Sequence, residues 1–297
     1  MNMITQVEFN AEGDILRGEM YFPTDSYEEK LPTIVMFHGF AALKEMYTDD
    51  IAKQFAKNGY VVFLFDNRNF GESDGQPRQE INPWQQIEDY RHVITYATTY
   101  DFVDEERIGI WGTSLSGGHT LVVSAIDRRV KCVVSVVPTI SGYENGLRRG
   151  SPDSRDKLQK YLMKDRKKRL MGESPSTMPV VPEKEESNNV FSDGGAPEWY
   201  SKAGKRADKW LNYVTVRSID NVRSYEPGGY ISNIEVPLLM IVAKEDVITP
   251  SDLALKAYKK AIEPKKLVMI DGGHFEPYIE GFKESSEAAI NWFNTHL

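Results

Sequence analysis

The feature that most constrains this fold is an alternation of short apolar runs with amphipathic segments of helical spacing. The apolar runs lie at residues 33–37, 60–66, 107–112 and 130–137, and the helical segments between them lie at 49–59, 82–99 and 115–126. The alternation resumes near the C-terminal end, with apolar runs at 236–243 and 266–270 and helical segments at 251–261 and 284–296. Because helices cover both faces of a parallel sheet, its strands are apolar on both sides. The pattern therefore predicts an α/β fold with a mostly parallel sheet.

Two further strands are predicted before the first of these runs. Residues 4–10 and 15–23 alternate apolar and polar side chains, and a turn containing Gly13 separates them. This pattern is typical of an antiparallel hairpin. The hairpin and the six apolar runs together predict an eight-stranded sheet with helices on both faces. Asn82, which precedes Pro83, is predicted to cap the helix at 82–99.

A long insertion interrupts the alternation. It divides the chain into a core of residues 1–138 and 234–297 and an insertion of residues 139–233. An insertion of this length is too long for a plain loop. It contains basic and Trp-bearing helical segments, so we expect a helical cap over the sheet. Its middle part, residues 172–189, is rich in Pro, Ser and Glu, and we expect it to be mobile.

Composition disfavours several classes of function. The formal net charge of −8 argues against a large surface for nucleic acid or for an anionic membrane. The apolar runs are too short to span a bilayer, and the N-terminal residues do not resemble a signal peptide. The single cysteine, Cys132, allows no internal disulfide. We therefore expect a cytoplasmic protein that acts on a small molecule, with no nucleic-acid or membrane partner; the sequence leaves a homodimer open.

Two serines stand two residues apart in the stretch WGTSLSGGHT, residues 111–120. Each has small residues two positions before and after it, as a nucleophile on a sharp strand-to-helix turn requires. Ser114 directly follows the end of a predicted strand, whereas Ser116 would lie inside the next helix. The spacing favours Ser114 as the nucleophile and Ser116 as the small residue that lets the turn close. A Gly-rich strand–helix junction without chemistry is the alternative interpretation.

An acid and a base should follow such a serine in that order. Of the five histidines, only His274 and His296 lie beyond the insertion, and His274 is in a Gly-rich loop directly after the run 266–270. Asp246 follows the run 236–243. Its carboxylate would hold the imidazole of His274 in the tautomer that accepts the serine proton. Glu245 is the alternative acid.

Backbone N–H groups must also stabilise the negative charge that develops on a carbonyl oxygen during acyl transfer. Leu115 would supply one such group, because it follows the serine at the start of a helix. Phe40 is the candidate for the other, since it follows His38-Gly39 in the loop after the run 33–37. A plain turn at the end of the strand is the alternative interpretation of that loop.

Several stretches of the chain are similar to those of α/β hydrolases: residues 38–46, 64–78, 110–121, 241–250 and 271–275. Within that superfamily the chain resembles dienelactone-hydrolase-like and polyketide-transferase-like hydrolases and the Xaa-Pro peptidase group. It differs from the commonest pattern at Ser116, where glycine is usual, and from dienelactone hydrolases proper, whose nucleophile is cysteine. The resemblance implies the α/β-hydrolase fold, with Ser114, Asp246 and His274 as the catalytic residues.

These observations lead us to expect a serine hydrolase that cleaves a carboxylic ester, a lactone or a thioester through an acyl-enzyme on Ser114, without a metal or an organic cofactor. An acyltransferase or aminopeptidase-like enzyme of the same fold is the alternative, and a non-catalytic ligand-binding protein is a third. Tyr143, Trp199 and Trp210 are candidates for an apolar substrate pocket, although they would equally pack the insertion on the core. The basic residues 166–169 suggest either an anionic substrate or a solvated helix face.

Overall fold

An eight-stranded sheet forms the centre of the computed structural model, which describes residues 3–23, 29–183 and 188–297. Its strands are β1 (Met3–Ala11), β2 (Asp14–Phe22), β3 (Leu31–Phe37), β4 (Val61–Phe65), β5 (Val103–Thr113), β6 (Cys132–Val136), β9 (Leu238–Ala243) and β10 (Lys265–Ile270). Two short strands, β7 (Thr177–Met178) and β8 (Val214–Thr215), form a separate antiparallel pair.

The strands of the large sheet lie in the order β1-β2-β4-β3-β5-β6-β9-β10. β1 pairs with β2, and β2 with β4, in antiparallel fashion, whereas all later pairs are parallel. Every residue of β4, β6 and β9 is buried, as the uninterrupted apolar runs indicated. The predictions of an N-terminal hairpin and of a mostly parallel eight-stranded sheet are confirmed.

Helices cover both faces of this sheet. They are α1 (Thr48–Lys57), α2 (Pro83–Ala97), α3 (Leu115–Ile126), α8 (Ser251–Tyr258) and α9 (Phe282–His296). Further helices lie in residues 139–233, namely α4 (Gly142–Arg148), α5 (Pro152–Leu170), α6 (Ala196–Ala203) and α7 (Val216–Arg223). Within β5, a Cβ added to Gly109 would lie 2.7 Å from the Phe293 ring of α9. Gly112 is three residues further on, and therefore on the opposite face of the strand, where its Cβ would lie 2.7 Å from Thr120 of α3.

The predicted cap of the second helix is present. The Asn82 side chain accepts hydrogen bonds from the backbone N–H groups of Trp84, at 3.2 Å, and Gln85, at 3.4 Å, and Pro83 occupies the first helical position. These bonds satisfy two N–H groups that have no partner within the helix. None of the helices in the described ranges has both the length and the apolar character that a membrane span needs.

Residues 139–233 lie between β6 and β9 and contain α4 to α7 together with the two-stranded sheet β7-β8, which the sequence did not predict. Two hydrogen bonds attach this inserted segment to the loop after β3. The Tyr200 hydroxyl donates to the carbonyl of Phe40 at 2.5 Å, and the Trp210 indole N–H donates to the carbonyl of Ala41 at 2.9 Å. The role of this segment as a separate cap domain stays a prediction.

The stretch 172–189, for which mobility is expected from the sequence, contributes to the core more than its composition indicates. Met178 pairs in β7, and Met178, Val180 and Val181 are buried. A few apolar side chains between polar neighbours are enough to anchor such a stretch, because the burial of each one stabilises the fold by about 1.5–3 kcal/mol. Residues 184–187 of this stretch lie outside the described residues.

A buried arginine joins the loop after β4 to three other elements. Arg68 donates to Asp89 of α2, with Nη2 at 2.6 Å from Oδ1, and to Asp14 of β2, with Nη1 at 2.6 Å from Oδ2. It also donates to the Ala11 carbonyl at 2.9 Å. Asp89 is fully buried, so each charge of this pair depends on the other for its stability.

We expect Asp89→Ala to lower the free energy of unfolding by about 3–5 kcal/mol, because it leaves the guanidinium of Arg68 buried without its partner. Glu88→Ala is the matched control on the same helix, since Glu88 pairs with Arg91 in an exposed position. That substitution should cost no more than about 1 kcal/mol. Urea unfolding followed by circular dichroism measures both changes, and equal losses would contradict the structural role given to Arg68.

Candidate active site

Ser114 occupies a strained turn between β5 and α3. Its backbone has φ 57° and ψ −115°, a region that non-glycine residues rarely adopt and that costs about 1–3 kcal/mol. Three backbone hydrogen bonds hold the turn. The Ser114 N–H donates to Val136 at 2.9 Å, and its carbonyl accepts from Thr139 at 2.9 Å and Gly118 at 3.2 Å. A serine held this way at the tip of a strand–helix junction stands clear of the sheet.

The turn can close only because residue 112 is a glycine. A Cβ added to Gly112 would lie 2.4 Å from the carbonyl oxygen of Ser116, closer than real Cβ atoms approach backbone. Ser116 itself is 1% exposed, and its hydroxyl donates to the carbonyl of His38. Of the two serines, therefore, only Ser114 is partly exposed, and Ser116 joins α3 to the end of β3.

A continuous chain of hydrogen bonds leads away from Ser114. Its Oγ lies 3.0 Å from Nε2 of His274, and Nδ1 of His274 lies 2.7 Å from Oδ2 of Asp246. The other carboxylate oxygen of Asp246 accepts from the backbone N–H groups of Ile248 and Thr249, both at 2.8 Å. Asp246 and His274 are 5% and 3% exposed. The structure thus brings together the three side chains that the sequence predicts as nucleophile, base and acid.

The alternative acid has a different position. Glu245 accepts a hydrogen bond from the backbone N–H of Gly272 at 2.5 Å, and its own N–H donates to the Gly272 carbonyl at 2.9 Å. It therefore supports the turn that carries His274 rather than the imidazole. Asp271 forms an exposed ion pair with Lys244. Neither carboxylate is a partner of His274 among the contacts of the described residues.

Thr249 is a member of the site that the sequence analysis missed. Its Oγ1 lies 2.9 Å from Oδ2 of Asp246, 3.1 Å from Nδ1 of His274 and 2.9 Å from the Val137 carbonyl. The available signal was a threonine three residues after the acid. In that position its N–H and its hydroxyl both reach back to the Asp246 side chain, as in a turn closed by an aspartate.

The loop after β3 passes close to the serine. A Cβ added to Gly39 would lie 3.1 Å from Cβ of Ser114, so the glycine allows this close approach. Phe40 follows it, and Leu115 follows the serine. Among the described residues, neither the Phe40 nor the Leu115 N–H donates a hydrogen bond to another protein group. Both residues line the same cavity as Ser114, which is the arrangement expected of two unoccupied donors.

Two spaces that share several lining residues adjoin Ser114. A narrow cleft is lined by aromatic side chains that include Trp199, Tyr200 and Phe275. A larger cavity of about 310 Å³ extends under the inserted segment and is also lined by Phe40, Ser114 and Leu115. Part of its wall is apolar and consists of Leu158, Tyr161, Met178, Val190, Ile219 and Val222.

Of the three aromatic residues expected in the pocket, the structure places only Trp199 at the site. Tyr143 is 54% exposed and lines neither space. Trp210 stacks on Tyr200, with ring centroids 5.9 Å apart, and lines neither space. The pocket expectation is therefore corrected for Tyr143 and Trp210. Trp210 instead packs the inserted segment on the core, and Tyr143 lies at the surface.

Arg149 brings a positive charge into the larger cavity. Its Nη2 donates to the carbonyl of Ile248 at 2.6 Å, and its guanidinium lies 4.7 Å from the Phe191 ring centroid. Loss of hydration inside the protein lowers the pKa of the Arg149 guanidinium to about 10. The nearby carboxylates of Asp246 and Asp193 act in the opposite direction and raise that pKa. The side chain therefore remains charged near neutral pH.

The other histidines have different environments. Burial lowers the pKa of His119 to about 3, and the ring contacts Tyr225 and Gln86 at 2.9 Å each, so it is a neutral member of the core. Burial also lowers the pKa of His38, which lies next to Asn67. No group of three or more His, Cys, Asp or Glu side chains suited to a metal ion is found within residues 3–23, 29–183 and 188–297.

This combination of sheet, strand order and serine turn defines a known class of proteins. The solved structure of the α/β hydrolase GrgF from Penicillium sp. sh18 matches this chain with a TM-score of 0.85 and 28% sequence identity, covering 99% of both chains. The chain has the α/β-hydrolase fold and is an enzyme of the hydrolase class. Residues 12–276 match the family model described as X-Pro dipeptidyl-peptidase (S15 family). The chain belongs to this family.

Two curated relatives extend over nearly all of the chain. The quorum-quenching protein AidA of Acinetobacter baumannii is 31% identical over 276 residues, which cover 92% of this chain and 88% of AidA. The polyketide transferase af380 of Aspergillus fumigatus is 30% identical over 300 residues, which cover 98% of both proteins. Hydrolysis or acyl transfer is the general chemistry that these relatives support for this chain.

We expect Gly112→Ala to disturb the turn at Ser114, because the new Cβ meets backbone that cannot move without displacing α3. The free energy of unfolding should fall by about 1–3 kcal/mol. Gly229→Ala is the matched control, since its Cβ would meet nothing within 4 Å. Differential scanning calorimetry compares the two variants, and a Gly112→Ala variant as stable as the control would contradict the close contact between β5 and α3.

Proposed function

We propose that this protein is a serine hydrolase that cleaves a carboxylic ester, a lactone or a thioester through an acyl-enzyme on Ser114. The observation that carries the proposal is the hydrogen-bonded chain from Ser114 through His274 to Asp246 at the edge of a cavity. Serine hydroxyl groups are weak nucleophiles unless an adjacent base accepts their proton. Here the base is in hydrogen-bonding distance, and a buried carboxylate orients it.

In the proposed reaction, the Oγ of Ser114 attacks the substrate carbonyl while Nε2 of His274 takes its proton. The carbonyl oxygen becomes negatively charged, and the N–H groups of Phe40 and Leu115 stabilise that charge. His274 then returns the proton to the leaving alcohol or thiol as the bond to the carbonyl carbon breaks. A water molecule, deprotonated by the same imidazole, attacks the carbonyl carbon of the acyl-enzyme. The bond to Oγ of Ser114 breaks, His274 returns the proton to that oxygen, and the carboxylic acid is released.

Asp246 and Thr249 act on the imidazole rather than on the substrate. The carboxylate accepts a hydrogen bond from Nδ1–H, which leaves the lone pair of Nε2 free to act as the base, and it stabilises the imidazolium that forms. The two backbone N–H bonds and the Thr249 hydroxyl hold the carboxylate in this orientation. We assign Thr249 as a positioning residue.

Transfer of the acyl group to an alcohol or amine is the second candidate function. The relative that covers 98% of this chain is named a polyketide transferase, and the apolar wall of the cavity would favour an organic acceptor over water. An aminopeptidase-like activity has less support. Binding of a substrate ammonium group requires a carboxylate, and among the described residues no Asp or Glu lines the larger cavity.

We also propose that residues 139–233 form a cap over the site, since this segment, including α4, α5 and α7, supplies most of the residues that line the cavity. A small-molecule acyl compound is the proposed substrate, and the cytoplasm is the proposed location. A panel of p-nitrophenyl esters, lactones, acyl thioesters and aminoacyl amides would establish the substrate class. Activity confined to the amides would overturn the proposal in favour of a peptidase.

A fluorophosphonate probe should label the wild-type protein and the Ser116→Ala variant but not the Ser114→Ala variant. The reason is that only the Ser114 hydroxyl is both partly exposed and bonded to His274. Labelling is followed by mass spectrometry of the intact protein. Persistent labelling of Ser114→Ala, or its loss in a folded Ser116→Ala protein, would refute the assignment of the nucleophile.

We expect Asp246→Asn to reduce kcat for ester hydrolysis by about 10⁴-fold, because an amide in place of the carboxylate favours the wrong tautomer of the imidazole. Glu245→Gln is the matched control, as it removes one charge from the adjacent residue, which does not contact the ring. Its kcat should stay within about threefold of wild type. Steady-state kinetics decide between them, and similar losses in both variants would count against Asp246 as the acid.

A further inference from the structure

Four basic side chains line the larger cavity next to Ser114. Arg149 follows α4, Arg155 and Lys157 lie in the first turns of α5, and Arg223 is at the end of α7. We call these four residues the cationic cluster. They reach the cavity from three different helices, so their convergence arises from the fold and not from their spacing in the sequence. The chain as a whole carries a net charge of −8, so the local excess of positive charge at this cavity is opposite in sign to the charge of the whole protein.

The charges of this cluster are not neutralised by ion pairs among the described residues. Arg149 and Arg155 donate to backbone carbonyls, those of Ile248 at 2.6 Å and Leu147 at 2.8 Å. Asp246 and Asp193 lie near enough to Arg149 to act on its charge, but neither is bonded to it. Arg223 lies against α4, where a Cβ added to Gly146 would be 3.4 Å from its Nε.

The basic residues 166–169, which the sequence suggested as an anion site, behave differently. Arg166 pairs with Asp220 at 2.6 Å, Arg169 with Asp165 at 2.8 Å, and Lys168 lies 3.9 Å from Glu173. These cations already have carboxylate partners, and none of them lines the cavity. The candidate site for an anionic ligand is therefore the cationic cluster and not the run 166–169.

A buried polar group without a partner lies at the same cavity. Asn145 of α4 is 5% exposed and lines the cavity, and its side-chain oxygen has no hydrogen-bond partner among the described residues. A buried amide atom without a partner costs about 1–3 kcal/mol. This oxygen accepts hydrogen bonds, so a hydroxyl or N–H group on the ligand would satisfy it, whereas an anionic oxygen or a purely apolar acyl chain would not.

We infer that the cationic cluster binds an anionic oxygen group, a carboxylate or a phosphate, on the substrate whose carbonyl reacts at Ser114. This inference rests on the proposed function. The apolar wall of the cavity would contact the carbon chain of the substrate, and Arg155, Lys157 and Arg223 would bind its charged group. The anion belongs either to the acyl part, as an additional carboxylate, or to the leaving group, as the phosphates of a carrier thiol.

Two matched pairs of substrates separate these sources. The first pair is the p-nitrophenyl ester of adipic acid with its second carboxylate free and the same ester with that carboxylate methylated. The second is hexanoyl-coenzyme A and hexanoyl-N-acetylcysteamine, which has the same thioester but no phosphate. For each pair the measured quantity is the ratio of kcat/KM for the anionic substrate to kcat/KM for the neutral substrate.

In the wild-type enzyme, one of the two ratios should exceed about ten, the effect of one charge-assisted hydrogen bond. The combined substitutions Arg155→Gln, Lys157→Gln and Arg223→Gln should return that ratio to about one. Arg149 stays unchanged, because its bond to Ile248 supports the loop of Asp246. The matched control carries Lys160→Gln, Lys164→Gln and Lys167→Gln, which remove the same number of charges from positions of α5 that do not line the cavity, and it should keep the wild-type ratio.

Salt dependence of the wild-type enzyme gives a second measurement that does not depend on the folding of a variant. The ratio should fall as ionic strength rises, because the screening length shortens from about 8 Å at 0.15 M to about 3 Å at 1 M. Ratios near one for both substrate pairs in the wild-type enzyme would overturn the inference. So would a loss of the ratio in the control variant that equals the loss in the variant of Arg155, Lys157 and Arg223. Activity that survives in Ser114→Ala would instead overturn the proposed function, so the two failures are distinguishable.

Discussion

The backbone conformation of Ser114 is the constraint on which the rest of the site depends. β5 lies between β3 and β6 in the sheet, and parallel strands end at the same edge. The turn at Ser114 stands at this edge, and the loops after β3, β6, β9 and β10 meet around it. The strain at φ 57° persists because hydrogen bonds to Val136 at the end of β6, to Thr139 after it and to Gly118 of α3 hold the serine backbone. A rigid sheet thus keeps three side chains from distant parts of the chain in hydrogen-bonding distance.

The core of the fold was predictable from sequence because its signals lie in short stretches of neighbouring residues. The strands carry uninterrupted apolar runs, the helices show regular spacing, and Asn82 and the glycines around Ser114 mark where elements begin or end. The order of Ser114, Asp246 and His274 along the chain, each just after a strand, was enough to predict that they meet. Their roles in catalysis remain predictions that the proposed experiments test.

The remainder of the site depends on contacts between residues far apart in the sequence. Thr249 stands three residues after Asp246 in the sequence, but its contact with the imidazole of His274 depends on how the loop folds back over the carboxylate. Trp199 and Trp210 both lie in helical, Trp-bearing sequence, yet Trp199 lines the cleft at Ser114 and Trp210 stacks on Tyr200. The turn after α6 separates the two residues. The convergence of Arg149, Arg155 and Arg223 requires three helices to pack against one another, and no spacing within the sequence indicates it.

The bonds from Tyr200 and Trp210 to the carbonyls of Phe40 and Ala41 have a consequence for how the enzyme would open. The inserted segment holds the same short loop that presents the Phe40 N–H to the cavity. Movement of that segment away from the sheet would break both bonds and release the loop. Under the proposed mechanism, entry of substrate and alignment of this N–H would therefore be coupled steps: an open enzyme would admit the acyl compound, and only the closed enzyme would align the N–H with its carbonyl.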